Sequence, residues 1–116
     1  MSDYHEPAEE ISAHDRNIIR ALKSLREEIE AIDWYHQRVA VCKDGHLKAI
    51  LAHNRDEEIE HALMALEWLR RNMDGWDEEM KTYLFTEGDI TELEDKEEES
   101  GEEDKSSDLG IGSQKD

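Results

Sequence analysis

The chain has 116 residues and a formal net charge of −18, from 32 acidic and 14 basic side chains. With 40% of its residues charged and 36% apolar, it has room for one small domain. The negative charge argues against nucleic acid and anionic membrane surfaces as partners, because both would repel it. It favours cations, or a partner with positive potential, instead.

No stretch has the roughly 20 consecutive apolar residues of a membrane-spanning helix, and the first residues show no signal-peptide pattern. The single cysteine, Cys42, has no second cysteine for an internal disulfide. Both features predict a protein of a reducing, cytoplasmic compartment that does not act at a membrane.

The first predicted element is one long helix over about residues 8–41, started by Pro7, the only proline. Apolar residues recur in it at steps of four and three, which is typical of a helix: Ile18, Leu22, Leu25, Ile29 and Ile32. Residues 43–46 predict a turn, where Gly45 gives the backbone the freedom that a helix end needs.

A second helix is predicted over about residues 46–72, and Asp74 with Gly75 ends it. A short third helical segment is predicted over residues 76–85. From residue 93 to 108 the chain is rich in acidic residues and serine, which predicts a disordered linker. We therefore expect an all-α domain over residues 1–92, the linker over 93–108 and a distinct C-terminal peptide over 109–116.

The second helix carries two polar residues on the stripe that should face a core. This inward stripe steps by four and three through Leu47, Leu51, Asn54, Glu58, His61, Ala65 and Trp68. A buried carboxylate needs a cation, a proton or strong hydrogen bonds. Glu58 and His61 are therefore candidate metal ligands. The other five histidines are predicted to be surface or local hydrogen-bonding groups.

Glu28 of the first helix lies one turn from Leu25 and Ile32, and Tyr35 lies two turns further along the same face. Glu28, Glu58 and His61 make up half of the ligand set of four-helix di-iron carboxylate proteins. Two long helices alone would also leave part of each apolar stripe uncovered. Most helix stability comes from tertiary packing, so the uncovered part needs a partner. Both observations predict a homodimer that completes a four-helix bundle and the ligand set.

This mixture of carboxylate and imidazole ligands suits iron, with manganese or zinc as competitors. Two Glu58 side chains at the twofold axis are placed to bridge two metals about 3.5–4 Å apart, the usual separation in dinuclear sites. Glu28 and His61 would cap each metal. The reaction that we infer is oxidation of ferrous iron by dioxygen.

Two alternatives remain at this point. The chain could be a non-catalytic acidic adaptor that binds a basic partner, although an adaptor has no reason to bury Glu58 and His61. It could also hold a structural metal that only assembles the dimer, since metal binding contributes folding free energy.

Several segments together resemble one family. They are EEIEAIDWY at 27–35, LAHNRDEE at 51–58, EH at 60–61, LEWLRR at 66–71 and YLFT at 83–86. The segments resemble the encapsulated ferritins, which are ferritin-like cargo proteins of bacterial and archaeal encapsulin nanocompartments. The resemblance covers about residues 5–92 without an evident gap.

The resemblance implies a two-helix hairpin with a short third helix, which dimerises to form a ferroxidase centre. Five dimers would close into a ring-shaped decamer that feeds mineral to a surrounding shell for iron storage and detoxification. The di-iron ligands would be Glu28, Glu58 and His61, with Tyr35 near the centre. Glu27, Glu30 and Trp34 would form an outer region where metal ions are taken up. We also expect calcium or another divalent metal at secondary sites.

The end of the chain fits the same resemblance, because it is similar to an encapsulin cargo-loading peptide. This peptide is Leu109, Gly110, Ile111, Gly112 and Ser113. In an extended segment Leu109 and Ile111 face the same way, so both could dock in apolar pockets of a shell. The expected location is therefore the lumen of an encapsulin nanocompartment in a bacterial or archaeal cytoplasm.

Overall fold

The computed structural model describes residues 4–94, and within that range it contains helices and no strand. The elements are a short 3-10 helix at Ala8–Glu10 and three α-helices, α1 at Ala13–Val41, α2 at Gly45–Asn72 and α3 at Trp76–Tyr83. Residues 90–94 are also helical. The predicted all-α class is confirmed. None of these helices is long and apolar enough to cross a membrane.

The predicted start of the first helix is wrong. Residues 8–10 form a separate 3-10 helix, and Ile11 and Ser12 are extended. The Ser12 hydroxyl accepts a hydrogen bond of 3.0 Å from the backbone N–H of Asp15, so Ser12 caps α1. Arg16 then donates from Nε to the carbonyl oxygen of Ala8 at 3.1 Å, which holds the 3-10 helix against α1.

A turn connects α1 and α2 as predicted, but it covers residues 42–44 instead of 43–46, and Gly45 does not end a helix. α1 ends at Val41 with Cys42 in an extended conformation, whereas Gly45 is the first residue of α2. Asp44 starts α2, because its Oδ1 accepts a hydrogen bond of 3.0 Å from the backbone N–H of Leu47.

The chain divides into two compact units, one ending at Asn72 and the other starting at Met73. In the first unit α1 packs antiparallel against α2, and Ala62 and Leu69 of α2 are the buried residues among those described. The predicted apolar stripes are therefore only partly covered. Ile29, for example, is 54% exposed, because a single hairpin offers each helix only one neighbour.

The second unit contains α3, which is two residues shorter than predicted. Gly75 precedes it with a φ of 105°, in the left-handed region that favours glycine. Leu84 ends it in an extended conformation, and Phe85 follows with a φ of 60°. Apart from residues 93 and 94, the predicted linker and the C-terminal peptide lie outside the described residues.

Candidate metal centre

Glu28, Glu58 and His61 come together between the two long helices. α1 contributes Glu28, and α2 contributes Glu58 and His61, which lie three residues apart and so share a face. One ligand atom from each residue lies within 4.8 Å of the others. His61 Nδ1 is 3.6 Å from Glu28 Oε2 and 3.8 Å from Glu58 Oε2.

These separations are too long for hydrogen bonds from the His61 ring nitrogen to either carboxylate. They fit a metal ion, because ligands that each lie about 2.1 Å from one cation are about 3–4 Å from one another. The Glu28 and Glu58 side chains are 27% and 25% exposed, and that of His61 is 43% exposed. The cluster is thus half-buried and open on one side.

Glu28 is the member of the cluster whose hydrogen bonding is least complete. Its Oε2 is buried and has no hydrogen-bond partner among the described residues. A hydrogen bond with Glu58, then burial and the charge of Glu58, raise the pKa of Glu28 above 4.5, while His61 acts to lower it. A divalent cation would satisfy the buried oxygen and offset the repulsion between the two carboxylates.

The other predicted site residues lie outside this cluster. Tyr35 is half-buried on α1, with the Arg38 guanidinium carbon 5.2 Å from its ring centroid. Glu27, Glu30 and Trp34 are exposed. Their spacing of three and four residues places them together on the outer face of α1. Among the described residues, the ligand cluster contains none of the three.

Two histidines that were predicted to be surface or local groups connect α1 to α2. His36 Nδ1 lies 3.2 Å from Arg55 Nη1, and His14 Nε2 lies 3.2 Å from the carbonyl oxygen of Asn72. Sequence reasoning missed Arg55, although it lies three residues before Glu58 and therefore on the same side of α2. Its spacing of three residues from Glu58 was the available signal.

The comparison with known families shows where this arrangement belongs, since residues 3–87 match the family described as EncFtn-like. The chain belongs to that family. This match confirms the predicted resemblance to the encapsulated ferritins and places the chain among ferritin-like proteins.

Individual proteins are also highly similar to this chain. A Thermotoga maritima protein named "Ferritin-like protein" is 60% identical over 112 residues, 96% of this chain and 97% of that protein. A Rhodospirillum rubrum protein named "Encapsulated ferritin-like protein" is 59% identical over 90 residues, 78% of this chain but 64% of the relative. The crystal structure of a Nitrosomonas europaea protein matches with a TM-score of 0.73 and 58% identity, covering 77% of this chain and 98% of that one.

Proposed function

We propose that the chain is a ferroxidase that oxidises Fe(II) to Fe(III) with dioxygen at a di-iron centre shared by two subunits. The observation that carries the proposal is the cluster of Glu28, Glu58 and His61, with one buried carboxylate oxygen that has no partner among the described residues. Membership of the EncFtn-like family supports iron as the metal.

One subunit supplies three ligands on the open side of a hairpin, which is half of a di-iron set. A second copy of the chain across a twofold axis would supply the other half. It would also exclude water from the cluster, because the His61 side chain is 43% exposed in the single hairpin. By resemblance, dimers of this kind assemble into a ring-shaped decamer.

The chain's own residues would act on ferrous iron in three ways. Glu28 and Glu58 hold the ion with anionic oxygens, which stabilise the ferric product more than the ferrous substrate. His61 binds through a neutral ring nitrogen and limits the total negative charge. Each Fe(II) gives up one electron and dioxygen accepts it. By resemblance, Glu27, Glu30 and Trp34 take up ions at the outer face, and Tyr35 lies near the centre.

We also propose that the product is delivered to an encapsulin shell, so that the chain works in the lumen of a nanocompartment. The name of the Rhodospirillum rubrum relative supports this, as does the sequence of the C-terminal peptide 109–113. Many peptides in one ring would strengthen docking through avidity, although each one has few contacts.

The test is to add ferrous iron aerobically to the full chain and follow ferric absorbance. We expect the wild type to oxidise iron faster than buffer, and Glu28→Ala, Glu58→Ala and His61→Ala to fall near the buffer rate. Glu57→Ala is the matched control, because it removes an exposed carboxylate next to Glu58 and should keep full activity.

Two outcomes would contradict the proposal in different ways. A wild type that is no faster than buffer, yet binds divalent metal in the absence of oxygen, has a structural metal site and no oxidase activity. If the wild type is active and all three variants remain active, the ligand assignment is wrong.

A further inference from the structure

Arg55 joins the two long helices beside the metal centre. Its Nη1 lies 3.2 Å from Nδ1 of His36 on α1, and its Nε donates to Oδ1 of Asp56 at 3.1 Å. The Arg55 side chain is only 24% exposed, although it carries a full charge. Arg55 therefore lies between the helices and makes a contact that connects them.

The chemistry of this contact fixes the direction of the hydrogen bond. A guanidinium group has donors only, so His36 Nδ1 must be the acceptor and carries no proton. The hydrogen bond from Arg55 Nε to Asp56 holds the other edge of the guanidinium group and offsets its charge. The pair thus has a defined geometry, and the planar fork loses less conformational freedom than a lysine in the same place.

The contact joins the same two helices that carry the facing carboxylates of Glu28 and Glu58. Glu28 and Glu58 repel each other across the same pair of helices, and Glu28 Oε2 has no hydrogen-bond partner among residues 4–94. Arg55 lies one turn before Glu58 on α2, at a rise of about 4.5 Å, and His36 lies eight residues, or about 12 Å, after Glu28 on α1. A link at this point opposes separation of the two carboxylates.

We propose that Arg55 is a positioning residue for the metal centre. Its hydrogen bond to His36 holds α1 against α2, so that Glu28 stays within reach of the ion bound by Glu58 and His61. The inference rests on the proposed metal centre and deepens it. It assigns a role to two residues that do not touch the metal.

A purely electrostatic role for Arg55 predicts the opposite result. A positive charge near a cation site weakens cation binding, so its removal would tighten binding. Loss of a positioning contact loosens the ligand set and weakens binding, typically by about 10- to 100-fold for residues that orient ligands. The sign of the change in affinity therefore separates the two roles.

The experiment measures Co²⁺ binding to the full-length protein by its visible absorption spectrum, without oxygen and at one pH. Arg55→Met keeps the apolar stem and removes the fork, and His36→Leu removes the acceptor. We expect each to weaken Co²⁺ binding by about tenfold and to alter the spectrum. The double variant should be no weaker than either single variant, because both remove one contact.

Two further variants separate this role from general destabilisation. His36→Asn places an amide oxygen near the position of Nδ1, so it should recover most of the Co²⁺ affinity. His14→Leu breaks a second cross-helix contact, in which His14 lies 14 residues, or about 21 Å, from Glu28. It should leave Co²⁺ affinity unchanged. If Arg55→Met does not fold, the comparison of His36→Leu with His36→Asn decides.

Several results would overturn the inference. They are tighter or unchanged Co²⁺ binding in Arg55→Met, additive losses in the double variant, no recovery in His36→Asn, or an equal loss in His14→Leu. A wild type that binds no Co²⁺ overturns it too. A wild type that binds Co²⁺ but does not oxidise iron leaves the positioning role intact and contradicts the ferroxidase activity alone.

Discussion

Glu28 is held in an unfavourable state when no cation is present. Its buried Oε2 has no hydrogen-bond partner in the described part of the chain, and the Glu58 carboxyl lies close to it. Repulsion at a site of this kind reduces the stability of the metal-free protein, and a bound cation removes the repulsion. The metal binding that we propose for this site therefore has a cost in the stability of the metal-free protein.

This conflict leads to a prediction for Glu28→Gln. In the metal-free protein we expect the neutral amide to raise the melting temperature by about 2–4 °C, which corresponds to about 0.5 kcal/mol for a domain of this size. Added Co²⁺ should then stabilise the wild type more than the variant. Thermal unfolding followed by circular dichroism, with chelator and with Co²⁺, measures both effects. Glu57→Gln, which neutralises an exposed carboxylate next to Glu58, should change neither.

At the scale of single residues, the sequence allowed the cluster to be predicted but not the contacts that support it. Glu58 and His61 were predictable because they interrupt an apolar stripe, where a polar residue needs a reason. Arg55 and His36 lie on facing helices, and their meeting depends on how α1 is rotated relative to α2. No periodicity within one helix contains that information.

Among the helices, α2 was predicted within one residue, and α1 was predicted five residues too long at its start. The residues that decide the start of α1 are Ser12 and Asp15, because the Ser12 hydroxyl satisfies a free N–H of the first turn. A serine followed three residues later by an acidic residue is the known signal for such a start. The prediction gave priority to Pro7, whose 3-10 helix is a separate element.

The C-terminal part of α2 contains an ion-pair network whose effect depends on pH. Glu67 Oε2 lies 2.7 Å from Arg70 Nη2 and 2.7 Å from Arg71 Nε. Hydrogen bonds from Arg70 and then Arg71 lower the pKa of Glu67 to about 2. A carboxyl with a folded-state pKa below its unfolded value stabilises the fold above the unfolded pKa, and the contribution is lost on acidification.

We therefore predict that Glu67→Gln is less stable than the wild type at neutral pH. The difference should shrink as the pH falls from 4.5 to about 2, because Glu67 becomes protonated over that range. Denaturant unfolding at a series of pH values measures it, and high salt should reduce it because the network is exposed. Stability curves that stay parallel down to pH 2 would show that the arginines do not stabilise α2 through Glu67.

At the scale of the whole molecule, a single hairpin leaves two of its sides uncovered. The helical repeat places the metal cluster on one side, which Leu47 and Ile50 share further toward the start of α2. It places four partly exposed apolar residues on the opposite side, namely Leu22, Ile29, Ile59 and Leu63. The dimer that we propose around the metal centre would use one side only. We therefore expect the opposite side to make a second contact, and two different contacts per copy are what a closed ring needs.

The two sides also explain why the residues alone predicted association between copies but not the number of copies. The apolar stripes and the half-complete ligand set require a partner on the site side, and both are visible in the sequence. The opposite side is assembled from two helices, since Ile29 lies on α1 and Leu63 lies on α2. The decamer consequently rested on resemblance to a family, whereas the dimer had support from the residues themselves.

A substitution on the opposite side should separate assembly from activity. Leu63 is 52% exposed, so Leu63→Asp is compatible with the folded hairpin but disfavours burial in a contact between copies. We expect light scattering after size exclusion to show the wild type as larger than a dimer and Leu63→Asp as a dimer that still oxidises iron. Val41→Asp is the control, since Val41 is 74% exposed and faces away from both sides. This substitution should leave the mass unchanged.

If Leu63→Asp keeps the wild-type mass, the opposite side is not a contact. If it loses assembly and iron oxidation together, the two contacts depend on each other, and the metal centre is not the property of a dimer alone.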